Sequence, residues 1–330
     1  MSSELRIDPL TGHRVLVSAG RAQRPNEFRH WKPTPAPASS CPFCWGNERE
    51  TPPELYAERP DGSAPNGPGW RLRVVPNRFP ALAADAALRT PPPPEHEAWP
   101  GVGHHEVVLE TERHDASLAD LAPERLVAVL RVYRDRVREL ATREGVRHVV
   151  VFRNGGPRSG ASLTHPHTQI AAAESVPPEV AEELARLVRH RDGTGRCLQC
   201  DLVLAEVEDG TRVLARGDGF VAYLPYAGRF PAQVRVTPET HPGAFVDLWE
   251  RELEGLGARL GEVLKRLREG FDDPSFNVVL HGAVVPPPEG GHHWRVDVLP
   301  RLAQVGGFEL ATGVFINGVP PEEAARRLRG

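Results

Sequence analysis

The residues best suited to chemistry at neutral pH stand in one short segment, His165-Pro166-His167-Thr168-Gln169. It follows a glycine-rich run, Asn154-Gly155-Gly156-Pro157-Arg158-Ser159-Gly160-Ala161, whose main-chain amides are of the kind that surround phosphate oxygens. Side chains of an extended chain alternate with period two, so His165, His167 and Gln169 are expected on one face. One imidazole can then hold a metal while the next meets a substrate. Imidazole is a good nucleophile at neutral pH, and its attack on an α-phosphorus makes a phosphoramidate. A backbone carbonyl on the other ring nitrogen is expected to fix the tautomer of His167. Gln169, Ser162 and the loop amides are expected to donate to the phosphoryl oxygens. A lone histidine is ordinarily structural; three polar residues on one strand face, after a phosphate-loop-like turn, favour the nucleophile. Arg21 and Arg24 read on these grounds as solvated surface, and Asn77 and Asn154 as turn formers.

The cysteines fall in two Cys-x-x-Cys pairs, Cys41/Cys44 and Cys197/Cys200. In a reducing compartment such pairs are metal ligands more often than disulfides. Neither opens an obvious amphipathic helix, which sets a thioredoxin-type redox role aside. A degenerate internal repeat supplies their partners. Cys41-Pro42-Phe43-Cys44 answers to Cys197-Leu198-Gln199-Cys200, and Arg78-Phe79-Pro80-Ala81 to Arg229-Phe230-Pro231-Ala232. The segment ending in His114 parallels the one ending in His241, and roughly fifty residues beyond each comes a further histidine, His165 or His293. Two structural zinc sites are expected: Cys41, Cys44, His114 and His165 in one, Cys197, Cys200, His241 and His293 in the other. The rival is one four-cysteine site, but zinc ribbons separate their pairs by only ~15–20 residues.

These side chains need elements to carry them. Apolar residues recur at three-and-four spacing over 123–144 and 248–269, which predicts two long helices. Shorter helices are predicted over 178–190 and 320–328, where Pro321 and two glutamates suit a helix start. Strands are predicted over 70–75, 106–110, 146–152, 167–172, 219–224, 233–236, 275–280 and 294–299. Proline-rich segments at 33–40 and 91–103 read as surface loops. The result is an α+β protein of two related halves, 1–176 and 177–330, with mainly antiparallel sheets flanked by helices.

Composition narrows the partners. A net charge of −4, from 40 Lys plus Arg against 44 Asp plus Glu, favours neither bulk nucleic acid nor an anionic membrane. No apolar run approaches the ~20 residues that span a bilayer. Residues 1–6 lack a basic flank followed by an apolar core, so a cytoplasmic protein is expected.

At these motifs the chain resembles the galactose-1-phosphate uridylyltransferase family of the histidine-triad superfamily over nearly its whole length, which implies that each half is histidine-triad-like. The matching pieces include Arg6-Ile7-Asp8-Pro9-Leu10-Thr11-Gly12, Arg21-Ala22-Gln23-Arg24-Pro25, Pro76-Asn77-Arg78-Phe79-Pro80-Ala81, Gly160 to Gln169, and Gly306-Gly307-Phe308-Glu309-Leu310-Ala311-Thr312-Gly313. The resemblance implies ping-pong transfer of a nucleotidyl group through His167, between a nucleotide sugar and a sugar 1-phosphate or inorganic phosphate. It implies nucleoside or phosphate contacts for Asn77 and Asn154, and phosphoryl contacts for Ser162 and Gln169. It places Arg21 and Arg24 near the phosphates, and Glu309 in a hexose-binding segment that a homodimer partner can supply. Many members carry His-x-His on the second-half strand as an iron-type site. Here the chain reads His293-Trp294-Arg295, and that site is expected to be lost. Cys197 and Cys200 make the chain similar to a two-zinc branch, which includes the plant ADP-glucose phosphorylase. Uridylyl transfer between hexose 1-phosphates is the first expectation, and adenylyl transfer to phosphate the alternative. Hydrolysis is disfavoured, because Gln169 stands where histidine-triad hydrolases place a third histidine and cannot shuttle a proton.

Overall fold

The computed structural model describes residues 3–23, 36–288 and 292–330. Its strands, in chain order, are β1 (Glu4–Ile7), β2 (Arg14–Val17), β3 (Tyr56–Glu58), β4 (Leu72–Pro76), β5 (Gly103–Leu109), β6 (His148–Gly155), β7 (His167–Ala173), β8 (Val213–Gly217), β9 (Phe220–Tyr223), β10 (Val234–Pro238), β11 (Phe276–Val284), β12 (Arg295–Pro300) and β13 (Phe315–Asn317). The helices are α1 (Pro123–Ala141), α2 (Pro178–Thr194), α3 (Leu198–Asp209), α4 (Glu250–Phe271), α5 (Gly307–Thr312) and α6 (Pro321–Arg329). The α+β class and the antiparallel sheet expected from the sequence are what the chain adopts.

Strands run β3-β4-β5-β7-β6-β11-β12-β10-β9-β8 in one ten-stranded sheet, antiparallel at every pairing. The landmarks of the internal repeat match β5 with β10, β7 with β12 and β6 with β11. The order therefore reads alike from either end, about a seam where β6 pairs with β11. The expected boundary at 176/177 falls between β7 and α2. A small sheet, β1-β2-β13, joins the first strands of the chain to its last, with β13 parallel to β2.

Helix α1 starts at Pro123, whose missing N–H is no loss in a first turn. It buries Leu126, Val129, Leu130, Tyr133, Val137 and Leu140. In α4, Glu252 accepts from the Trp249 amide at 2.8 Å at the start, and Asp272 turns left-handed at the end. Its buried stripe, Leu253, Leu256, Leu260, Val263, Leu264 and Leu267, joins that of α1 over the sheet in one apolar core. Fully burying one such leucine contributes about 1.5–3 kcal/mol.

Several expectations need correction. Helix α3 begins at Leu198, directly after Cys197, so the second cysteine pair does open a helix. Its buried positions include Gln199 and Glu206 while Leu204 is exposed, so no clean apolar stripe announces it. Helix α2 runs on to Thr194, where Gly195 takes a left-handed conformation. The short strands β1, β2, β3, β8 and β13, and helix α5, are too brief to show a period.

Candidate functional site

His167 opens β7, hydrogen-bonded in register between two neighbours: Leu109 of β5 lies opposite it, and Phe152 of β6 lies opposite Gln169. Alternation then sends His167 and Gln169 to one face and Thr168 to the other. His165 stands before the strand rather than in it. Its carbonyl accepts from His167 Nδ1 at 2.8 Å, which leaves the hydrogen on Nδ1 and the lone pair on Nε2. Burial pushes the His167 pKa down, partly offset by that carbonyl, which favours the uncharged ring. The Phe43 ring meets His167 edge-on at 5.2 Å and His165 at 6.1 Å.

Below β7, on the α1 side, lies a buried polar cluster that the sequence reading missed. Thr168 Oγ1 and Tyr133 Oη lie 2.6 and 2.9 Å from Glu110 Oε1, and Arg153 Nε donates to both carboxylate oxygens at 3.1 and 3.0 Å. Glu110 is fully buried, and its charge is matched by the Arg153 guanidinium. The pairing holds the strand from behind while His167 faces the other way.

The first cysteine pair converges with His114 and His165. Cys44 Sγ lies 3.2 Å from His114 Nδ1 and 3.4 Å from His165 Nδ1. Each histidine directs its other nitrogen to a carbonyl: His114 Nε2 to Ala36 at 3.0 Å, His165 Nε2 to Thr111 at 2.8 Å. Such partners fix Nδ1 as the ligand atom. The second group repeats this, with Cys200 Sγ 3.4 Å from His241 Nδ1 and 3.3 Å from His293 Nδ1, and His293 Nε2 on the Pro238 carbonyl at 3.0 Å. Within each foursome the potential ligand atoms lie within 4.8 Å of one another. Two separate Cys2His2 groups that could hold a metal ion are thus present, rather than one four-cysteine site.

The electrostatics point the same way. Burial pushes the Cys44 thiol up to about 12, with Cys41 beside it adding to the rise, and Cys200 behaves alike beside Cys197. Burial likewise drops His165 and His293 to about 4. Two thiols and two imidazoles aimed at one point become ligands when a cation displaces the thiol protons. The donor set fits one.

The glycine-rich run forms a tight turn, with Gly156 and Gly160 at φ +84° and +87°. A side chain at Gly156 would strike Ser275. Two of the amides expected to face a ligand instead hold the loop: Arg158 N–H donates to Ser275 Oγ at 3.3 Å and Ser159 N–H to the Gly156 carbonyl at 3.2 Å. Asn277 of β11, unforeseen from the sequence, donates to Asn154 Oδ1 and to the Ser159 carbonyl, both at 2.8 Å. Ser162 is exposed beyond the turn.

Of the other expected site residues, Asn77 is brought in beside Gln169, both touching His105. Glu309 caps its own helix α5 through the Gly306 amide at 3.0 Å, next to β13. Arg21 is exposed in a turn after β2, and Arg24 lies outside the described residues.

The second half holds the equivalent place differently. One row of cross-strand partners runs Val107, Gln169, Phe152, Val279, Asp297 and Arg235, so Asp297 answers to Gln169 and Arg295 to His167. The Arg295 guanidinium donates to Glu183 Oε2 at 2.8 Å and to Asp297 Oδ2 at 3.3 Å. Arg235 binds Asp297 from the other side at 2.9 Å. These ion pairs hold both carboxylates below the usual range and fill the position with charge already matched. An arginine, not a histidine, stands where His167 stands in the first half.

A family model described as galactose-1-phosphate uridyl transferase, N-terminal domain, matches residues 1–177. The chain is 34% identical to an ADP-glucose phosphorylase of Arabidopsis thaliana, an alignment that covers 99% of this chain and 93% of that protein. It is 28% identical to a galactose-1-phosphate uridylyltransferase of Thermotoga maritima, covering 99% of this chain and 98% of that one. A crystal structure of an Arabidopsis thaliana ADP-glucose phosphorylase with bound ADP-glucose matches 100% of this chain and 98% of its own at a TM-score of 0.85 and 33% identity. Among the described residues no helix is long and apolar enough to cross a membrane.

Proposed function

Because the chain belongs to the galactose-1-phosphate uridylyltransferase family, we propose that it moves a uridylyl group between hexose 1-phosphates through a covalent adduct on His167. UDP-glucose and galactose 1-phosphate would give glucose 1-phosphate and UDP-galactose. The observation that carries the reading is the 2.8 Å bond from His167 Nδ1 to the His165 carbonyl, which leaves Nε2 as the free lone pair.

The Nε2 lone pair attacks the α-phosphorus, forming a P–N bond. The bond from that phosphorus to the bridging oxygen breaks, and the electron pair leaves with the sugar 1-phosphate. The His165 carbonyl, still accepting from Nδ1–H, steadies the positive charge that grows on the ring. A phosphate oxygen of the second sugar 1-phosphate then attacks the adduct, and the P–N electrons return to Nε2. Gln169 donates to the non-bridging oxygens, with Ser162, Asn77, Asn154, Arg21 and Arg24 as the other substrate contacts.

Cys41, Cys44, His114 and His165 would hold one zinc ion, and Cys197, Cys200, His241 and His293 a second. A closed four-ligand shell supplies cross-linking rather than an open coordination position. In the first site it ties the Phe43 loop to the turn that presents His167. Roughly 3.5 Å between ligand atoms suits tetrahedral zinc at ordinary bond lengths, in keeping with the 3.2 to 3.4 Å sulfur–nitrogen separations.

A second reading is adenylyl transfer from ADP-glucose to phosphate. It is supported by the 34% identity along nearly the whole chain to a phosphorylase of that specificity. Incubation with radiolabelled UDP-glucose or ADP-glucose, followed by counting label on the denatured protein, separates the two; label from neither would end both. We read the functional unit as a cytoplasmic homodimer of two-half chains divided at 176/177. Glu309 in this reading serves the partner's hexose, and the 80% exposure of Leu310 beside it supports a contact there.

A further inference from the structure

His105 lies on β5, between the turn that carries Asn77 and the strand that carries Gln169, and no role has yet been given to it. Its hydrogen bonds decide its tautomer. The Ala81 main-chain N–H, which can only donate, points at His105 Nδ1 from 3.1 Å. Nδ1 therefore bears the lone pair, and the ring hydrogen sits on Nε2. That nitrogen lies 2.9 Å from Gln169 Oε1.

The second link follows from the first. A donor at His105 Nε2 requires an acceptor opposite it, so the Gln169 amide must turn its oxygen to His105 and its NH2 group away from the ring. Asn77 is set by the same logic: its Oδ1 accepts from the Phe79 amide at 2.9 Å, which leaves the NH2 group as the end of the side chain that the main chain does not hold. The 3.3 Å approach of Asn77 Nδ2 to His105 Nε2 puts donor beside donor, so the hydrogens of Asn77 remain for other acceptors. Protonating His105 would place a second hydrogen against the Ala81 N–H, and burial already lowers its pKa. The ring is held neutral with one hydrogen in one place.

We propose that His105 is a positioning residue that orients the Gln169 amide so that its NH2 group, not its oxygen, faces the phosphoryl group carried by His167. An amide free to rotate presents oxygen to oxygen in one of its two orientations, and that orientation repels the charge it should stabilise. Donors fixed before the reaction avoid that reorganisation at the moment of transfer. The inference rests on the nucleotidyl-His167 reading, and the experiment separates the two.

His105→Asn is the selective variant. The shorter side chain can still accept from Ala81 but stops short of Gln169. His105→Gln places an amide where Nε2 stood and can donate to Gln169 again. Adduct on His167 is first measured in the wild type by intact mass, with UDP-glucose and with ADP-glucose; absence from both ends the functional reading itself. With the labelling donor, His105→Asn is expected to lower kcat by about tenfold to a hundredfold, below the ~10²–10³-fold that follows deletion of an oxyanion donor. KM should change by less than about threefold, and His105→Gln should recover most of the rate. In a Gln169→Ala background the same His105→Asn change should lose most of its effect, because the group it orients is gone. Should His105→Asn fail to fold, His105→Gln in both backgrounds carries the test, with near-wild-type kcat expected when Gln169 is present. Wild-type kcat in His105→Asn, an equal loss with and without Gln169, or no recovery in His105→Gln would each overturn the proposal.

Discussion

His167 Nδ1 donates to the carbonyl of His165 at 2.8 Å, and His165 Nδ1 lies 3.4 Å from Cys44 Sγ. The residue offered to a metal and the residue offered to a substrate are thus joined through two main-chain positions and one hydrogen bond. Whatever orders the cysteine loop also orders His167, and the Phe43 ring packed on both imidazoles makes the coupling tighter.

Removing the nucleophile should separate chemistry from architecture. His167→Gly is expected to lower transfer by at least about a thousandfold, since no other side chain replaces a covalent nucleophile. Metal content and the melting midpoint should stay close to wild type. Steady-state kinetics beside metal analysis checks both, and full activity in the variant would end the covalent mechanism.

His165→Ala should do the reverse. It is expected to release the metal of one Cys2His2 group and keep the other, taking the content from two to one per chain. Loss of a structural site should lower the melting midpoint by about 10 °C or more. Full metal occupancy in His165→Ala would refute the ligand assignment. Cys197→Ser supplies the complementary arm: a single shared site would lose all metal in that variant, whereas two sites lose half.

Nucleotidyl label should saturate at one group per chain. The second-half counterpart of His167 is Arg295, a guanidinium already bound to Glu183 and Asp297 and unable to attack phosphorus. Intact mass under saturating donor reads the stoichiometry directly. Two additions would mean a nucleophile in the second half.

The pair behind the strand should matter to stability. Arg153→Met strands the Glu110 carboxylate without its partner and is expected to destabilise by about 3–5 kcal/mol. Tyr133→Phe removes one hydroxyl from the same cluster and should cost about 1–2 kcal/mol. Denaturant titrations give both. Equal midpoints for wild type and Arg153→Met would show that the buried pair contributes nothing.

Acid should weaken the fold through His148, a buried residue of β6 outside both metal groups. Burial lowers its pKa to about 4, and the nearby charges of His281 and His292 add to that. Its folded value lies below its unfolded one, near 6.5, so the unfolded chain takes up the proton first as pH falls. Its contribution is therefore complete above the unfolded value and is lost on descending toward the folded one. His148→Phe should flatten the fall of the melting midpoint between about pH 6.5 and 4. An unchanged slope would remove His148 from the account.

Much of the site was legible without coordinates. The fifty-odd residue recurrence that matched cysteine pairs to histidines is a property of order along the chain, and both foursomes assemble as that order implied. The apolar stripes of α1 and α4 were readable for a similar reason: a periodic face must bury itself whatever it packs against. His105 was present in the text as one histidine among 14, with nothing local to mark it. Only the pairing of β5 with β7, and the arrival of the Ala81 amide, made it the partner of Gln169. The repeat that matches His293 with His165 already set Arg295 against His167, but its bond to Glu183 of α2 appeared only in the folded chain. Motif spacing is local and survives in one dimension. Register, tautomer and the partner of a buried charge depend on which distant strands lie side by side, and folding alone decides that.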